Sequence, residues 1–116
     1  MKLIYLACPY SDKSPKVEHD RFIAATICAA NRMERKELIF SPITHSHPIR
    51  RYAGLEGDFE FWKDFCVATL TACQVMYVLT LPGYKESVGV QAELNIAYNL
   101  GMPIHYLDPE TFDIIV

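Results

Sequence analysis

Apolar residues along this chain fall into two spacings. Short runs centred on apolar residues occur at Leu3 to Ala7 (LIYLA), Glu37 to Ser41 (ELIFS), Gln74 to Leu81 (QVMYVLTL) and Pro103 to Leu107 (PIHYL). Runs of this length without polar alternation predict strands buried on both faces, as in a parallel sheet. Between them the spacing turns helical. Ser14-Pro15 starts a first helix, with Ser14 as N-cap and Pro15 at the first helical position. That helix runs to about Lys36, with Val17, Ile23, Ile27 and Ala30 on one stripe and Phe22, Ala25, Ala29 and Met33 beside it. Arg32, Arg35 and Lys36 collect in its last turn, where they suit the helix dipole. Asp58 caps a second helix to about Ala72, which carries Phe61, Trp62, Phe65 and Leu70. A third lies within Gly83 to Leu100, with Ser87 and Gly89 in its first turn and Gly101 as its C-cap. Pro42 to Leu55 (PITHSHPIRRYAGL) reads as a long loop, and Thr111 to Val116 as a candidate fifth strand.

The resulting order, β-α-β-α-β-α-β, predicts an α/β domain with a mostly parallel sheet and helices on both faces. Ligands of such sheets bind beyond the C-terminal ends of the strands, where the strand order reverses. Three loops converge there: Cys8 to Ser14, Ser41 to Leu55 and Pro82 to Gly89.

Composition narrows the function classes. The 116 residues suit a single domain spanning 1–116, and 51% hydrophobic with 22% charged residues is a globular balance. A net charge of -3 argues against a nucleic-acid polymer as partner, because neutralising many phosphates takes a basic surface. One bound nucleotide needs only a local anion site. No run is long enough to span a membrane, and Met1-Lys2 leads into strand-like sequence without a signal-peptide pattern. Cys8, Cys28, Cys66 and Cys73 sit in apolar surroundings without a CxxC pair. They read as small core residues of a cytoplasmic protein with no disulfide and no structural zinc.

The polar residues of the converging loops carry the candidate chemistry. Glu93 sits among Val90, Ala92, Leu94, Ile96 and Ala97. It lies either on a solvated stripe or against a cleft, where its carboxylate could attack an anomeric carbon. Ser87 reads on the local sequence first as a simple helix cap and second as a phosphate contact at a helix N-terminus, with Gly89 permitting close approach, and the two roles are compatible. His45 and His47 form an HxH that lacks further metal ligands, so contact with a phosphate or base fits better than a metal, with surface histidines without a role as the alternative. Arg50 and Arg51 either hold an anion or are solvated. Tyr10 either stacks on a base or packs on the rim, while Phe61 and Trp62 read as core. Asp58 is an N-cap, and Asp64 is the best of the nearby acids for a site role, with surface solvation as the alternative.

Taken together, Ser87-x-Gly89-x-x-x-Glu93-x-x-x-Ala97, after an apolar strand and before Gly101-x-Pro103, resembles the signature of the nucleoside 2-deoxyribosyltransferase superfamily. That superfamily includes nucleoside 5'-monophosphate N-glycosidases. LIYLACPYS and FSPITHSHPI resemble its DUF1937 branch. The resemblance implies a flavodoxin- or Rossmann-like three-layer α-β-α fold with a parallel five-stranded sheet. It implies Glu93 as nucleophile at C1' of a (deoxy)ribonucleotide. Ser87 would hold a 5'-phosphate where the transferases commonly place an acid against a free 5'-hydroxyl. It implies a homo-oligomer, a dimer or tetramer, with the site completed by a neighbour. No cofactor or metal is expected, because the carboxylate itself stabilises an oxocarbenium-like transition state. The superfamily pattern also expects two aspartates where this chain has Cys66 and Gln74. Asp64, two residues from Cys66, is the nearest acid but lies about 200° round a helix from that position. A non-catalytic nucleotide-binding module of the same fold is the alternative function, and a structural domain the third.

Overall fold

The computed structural model describes residues 1–116. Four strands, β1 (Leu3–Ala7), β2 (Leu38–Phe40), β3 (Val75–Leu79) and β4 (Ile104–Leu107), are interleaved with four helices. The helices are α1 (Pro15–Glu34), α2 (Pro42–Ala53), α3 (Phe59–Thr71) and α4 (Val88–Asn99). The sheet order is β2-β1-β3-β4, and all three pairings are parallel. β1 connects to β2 on one side and β3 to β4 on the other, so the order reverses between β1 and β3.

The two central strands are apolar throughout because both of their faces are covered. Ile4, Leu6 and Cys8 join Val75, Tyr77 and Leu79 against Ala25, Cys28 and Ala29 of α1. The alternate residues Tyr5, Ala7, Met76 and Val78 face Leu70 of α3 with Val90 and Ala97 of α4. The result is a three-layer, Rossmann-like α/β arrangement with a four-stranded parallel sheet. Each helix begins at a side-chain cap. Ser14, Ser41, Asp58 and Ser87 accept from the amides of Val17, Thr44, Phe61 and Val90 respectively. No helix is long and apolar enough to cross a membrane.

Three expectations need correction. Pro42 to Leu55 is not a loop: Pro42–Ala53 is helical, started by Ser41 as N-cap and ended at Gly54 with φ of 67°. Pro48 inside α2 removes one amide donor and crowds the carbonyl four residues earlier, and α2 packs along α1. One link to α1 is a hydroxyl–hydroxyl hydrogen bond of 2.8 Å between Thr26 and Thr44. The core stripe of α1 is Ala25, Cys28, Ala29 and Arg32, while Ile23, Ile27 and Met33 are exposed. Small residues let α1 approach the sheet closely, so the bulky stripe turns outward. The expected fifth strand does not form either. Thr111 to Val116 contributes one isolated antiparallel bridge, Leu107 to Ile114. Arg32, in the last turn of α1, is 6% exposed and pairs with Glu37 at 2.6 Å. It also donates to the Tyr77 hydroxyl and the Phe112 carbonyl, tying α1 to β3 and the C-terminal segment.

Candidate functional site

Helices that follow parallel strands start at the C-terminal edge of the sheet, so their caps gather where the strand order reverses. A cavity of about 530 Å³ opens there, bordered by residues after β1, β2 and β3 and by the first turns of α3. This is the size of an ordinary small-molecule pocket. Its α4 side carries Ser87, Gly89 and Glu93; its other side carries Tyr10, His47 and Arg50, with Asp58, Glu60, Trp62 and Cys66 from α3.

Glu93 does not lie on a solvated stripe. It is 6% exposed, and the Tyr5 hydroxyl donates to its Oε2. Burial pushes the Glu93 carboxyl up to about 7, and the Tyr5 hydrogen bond opposes that rise by favouring the charged form. Burial, and then the charge of Glu93, drive the Tyr5 phenol well above its ordinary range, so it stays a donor. Burial and then the Glu93 charge raise the Cys66 thiol to about 11, so at neutral pH it is uncharged. The site therefore has one carboxylate held by a phenol, with a neutral thiol beside it. Tyr5→Phe should raise the Glu93 pKa further, by about one to two units, since a hydrogen bond to a charged group contributes about 1.5–3 kcal/mol. Carbon-13 NMR titration of the Glu93 carboxyl checks this; an unchanged midpoint would show that the phenol does not hold the carboxylate.

At the start of α4, Ser87 Oγ accepts from Val90 N at 3.2 Å, which leaves its own hydroxyl proton free to donate. The amides of Val88 and Gly89 donate to no protein acceptor. The nearest atom to a Cβ built on Gly89 is Phe59 Cδ1 at 3.4 Å, an ordinary contact. Across the cavity, Tyr10 Oη and His47 Nδ1 are 2.6 Å apart. His47 stacks on Phe22 with 4.3 Å between ring centroids. Burial, and then the neighbouring His19, keep its pKa below the ordinary histidine value. The Arg50 guanidinium lies 5.1 Å from the Tyr10 ring centre and pairs with Glu56 at 2.9 Å.

Two of the expected site residues are not brought to this cavity. His45 is exposed and stacks on Phe65 at 4.9 Å, and Asp64 is exposed on α3. Helix geometry explains both, because residues two apart diverge by about 200°. His47 borders the cavity, so His45 cannot; Cys66 borders it, so Asp64 cannot. Trp62 lies one turn before Cys66 and shares its face, so it lines the cavity instead of the core, and Phe61 is 57% exposed. The acids that do border the cavity are Asp58, Glu60 and Glu86 with Glu93. Sequence reasoning missed Tyr5. Its one signal was a hydroxyl in the middle of a strand buried on both faces, which needs a partner.

Fold and site together define an α/β protein with a ligand-sized pocket at the switch point of a parallel sheet. Residues 2–108 match the family described as Domain of unknown function (DUF1937), and the chain belongs to that family. No curated protein matches the chain.

Proposed function

We propose that the chain cleaves the N-glycosidic bond of a (deoxy)nucleoside 5'-monophosphate through Glu93, as in the nucleoside 2-deoxyribosyltransferase superfamily whose signature it resembles. The observation that carries this reading is the buried carboxylate of Glu93 on the wall of the cavity, held by Tyr5 and one turn from the free amides of Val88 and Gly89. In this mechanism a Glu93 carboxylate oxygen attacks C1'. The C1'–N bond breaks and its electron pair leaves with the base. Water, or a second base, then displaces Glu93 from the glycosyl-enzyme. The 5'-phosphate sits at the start of α4, where Ser87 and two amides donate and the helix dipole is positive. Tyr10 and His47 line the base side. The carboxylate is regenerated each cycle, so the scheme calls for no cofactor.

Gly89 adds support. Its neighbours leave ordinary room for a methyl group, and glycine is a poorer helix former than alanine. A glycine with no packing reason fits a position where a ligand approaches the backbone. Gly89→Ala is therefore expected to leave the melting temperature unchanged or raised while weakening nucleotide binding about tenfold or more. Thermal denaturation and calorimetry test the two halves, and full-strength binding in this variant would remove the phosphate from the start of α4. The direct test of activity is incubation with nucleosides and 5'-monophosphates, scoring free base by chromatography. Base release from monophosphates is expected, and release from none of them overturns the reading.

A neutral thiol where the superfamily pattern has an acid favours a second reading, a nucleotide-binding module without catalysis. It differs in one result: calorimetric binding with no free base. The same proposal has the chain act on small molecules in the cytoplasm, as a dimer or tetramer. Exposed Ile23 and Ile27, one turn apart on α1, offer apolar surface for self-association.

A further inference from the structure

Formal charge is unevenly placed around the cavity. Its border carries four carboxylates, Asp58, Glu60, Glu86 and Glu93, against one guanidinium, Arg50, and no lysine. Arg50 is already engaged, at 2.9 Å from Glu56 and 3.9 Å from Glu18. None of the four carboxylates pairs with a lysine or an arginine. Glu93 is 6% exposed, and its Oε1 has no protein donor and is open to the cavity. Phe59 and Trp62 add aromatic rings to the same border, and such rings attract cations over their faces. The chemistry of the leaving group points the same way. A base that departs from a neutral nucleotide takes the electron pair of the C1'–N bond and needs a proton. The groups beside Glu93 do not supply one. The Tyr5 hydroxyl already donates to it, and burial holds the Cys66 thiol up at about 11. A base whose glycosidic ring is already positively charged accepts the same electron pair, leaves as a neutral molecule and needs no proton.

We infer that the cavity takes a nucleotide whose base carries a fixed positive charge, of the class of N-glycosylated pyridiniums and N7-alkylated purines. The inference rests on the nucleotide reading above and names its substrate class. Glu93 attacks C1', the C1'–N bond breaks, and its electron pair neutralises the ring. Water then cleaves the glycosyl ester. Cationic nucleotide and water thus give neutral base, sugar phosphate and one proton released to solvent. As the bond breaks, positive charge passes from the ring to the sugar beside Glu93. Asp58, Glu60 and Glu86 therefore act on affinity, and Glu93 on the chemical step.

The test uses pairs that share a sugar phosphate and differ in charge: nicotinamide mononucleotide and its dihydro form, and the 5'-monophosphates of 7-methylguanosine and guanosine. Each is titrated calorimetrically into the full chain carrying Glu93→Gln, so that no ligand is consumed. A preference for the cationic member of about tenfold or more in both pairs is expected. Adding Glu60→Gln and Glu86→Gln, both at exposed positions, should shrink it severalfold, as should high salt. Asp58→Asn keeps a helix cap while removing the third charge, and stands in if the glutamine variant fails to fold. Binding of all four nucleotides without a cationic preference overturns the inference and leaves the nucleotide reading intact. A preference untouched by these substitutions takes it away from the carboxylates. In the wild type, guanine released as fast as 7-methylguanine would reveal a proton donor and overturn the inference as well. Failure of all four nucleotides to bind overturns both readings.

Discussion

Glu93→Ala is expected to abolish release of free base, by more than about a thousandfold, while nucleotide binding persists. A nucleophile has no substitute when its oxygen forms the covalent bond, so its loss falls on the chemical step and not on affinity. Binding persists under the proposal because the phosphate is assigned to Ser87 and the first amides of α4, a full turn away. Alanine leaves the Tyr5 hydroxyl buried without its acceptor, whereas Glu93→Gln keeps an amide oxygen there, so the pair separates lost chemistry from lost packing. Both variants should release no base in a chromatographic assay and still bind in a calorimeter. Turnover at the wild-type rate in either would end the nucleophile assignment. Loss of binding in the glutamine variant would show that Glu93 holds the ligand instead of reacting with it.

Much of the fold was legible because its signals are local. Ser14-Pro15, Asp58 and Ser87 announce helix starts by capping chemistry alone, and the apolar runs of β1 and β3 announce strands covered on both faces. Pro42 to Leu55 reads as a loop, although Ser41-Pro42 repeats the Ser14-Pro15 signal, because the segment is rich in the residue types of binding loops. The mistake propagated into the site. In a loop, His45 and His47 could act together; in a helix they face apart, and only His47 reaches the cavity. The stripe of α1 failed for a different reason. Two apolar faces compete on that helix, and the sheet accepts the one built of small residues, a tertiary preference that periodicity does not encode.

The site was half legible for the same reasons. Ser87, Gly89 and Glu93 are close in sequence on one helix, so their spacing carries their geometry. Tyr5 and Glu93 are 88 positions apart, and their hydrogen bond exists only because β1 lies beside β3 beneath α4. Trp62 and Arg50 are brought to one cavity by the packing of α2 and α3 near the switch point. What the sequence could not reveal was long-range juxtaposition, and the partner of the principal carboxylate belongs to that class.

That partnership also makes stability depend on pH. The Glu93 carboxyl has an ordinary value of 4.5 and is raised to about 7 in the folded chain, chiefly by burial. Between these values the folded state binds more protons than the unfolded state, so stability falls as pH rises. Below about 4.5 the carboxyl is neutral in both states and carries no such penalty. Above about 7 the folded chain holds a buried charge at the full cost, about 3 kcal/mol for a shift of this size. Glu93→Gln removes the titration while preserving shape and the acceptor for Tyr5. The two chains are therefore expected to melt at similar temperatures near pH 4.5, with the variant increasingly more stable as pH rises. By pH 8 the gap should be on the order of 10 °C for a domain of this length. Histidines and surface carboxylates titrate in both chains and largely cancel in the difference, which isolates Glu93. Under the proposed mechanism, base release by the wild type rises with pH through the same midpoint, because only the ionised carboxylate attacks. Thermal denaturation of both proteins from pH 4.5 to 8 measures the first curve and initial rates of base release the second. A gap that does not change with pH would mean that Glu93 is not desolvated in the folded chain. Coincident midpoints would mean that the charge destabilising the fold is the charge that does the chemistry.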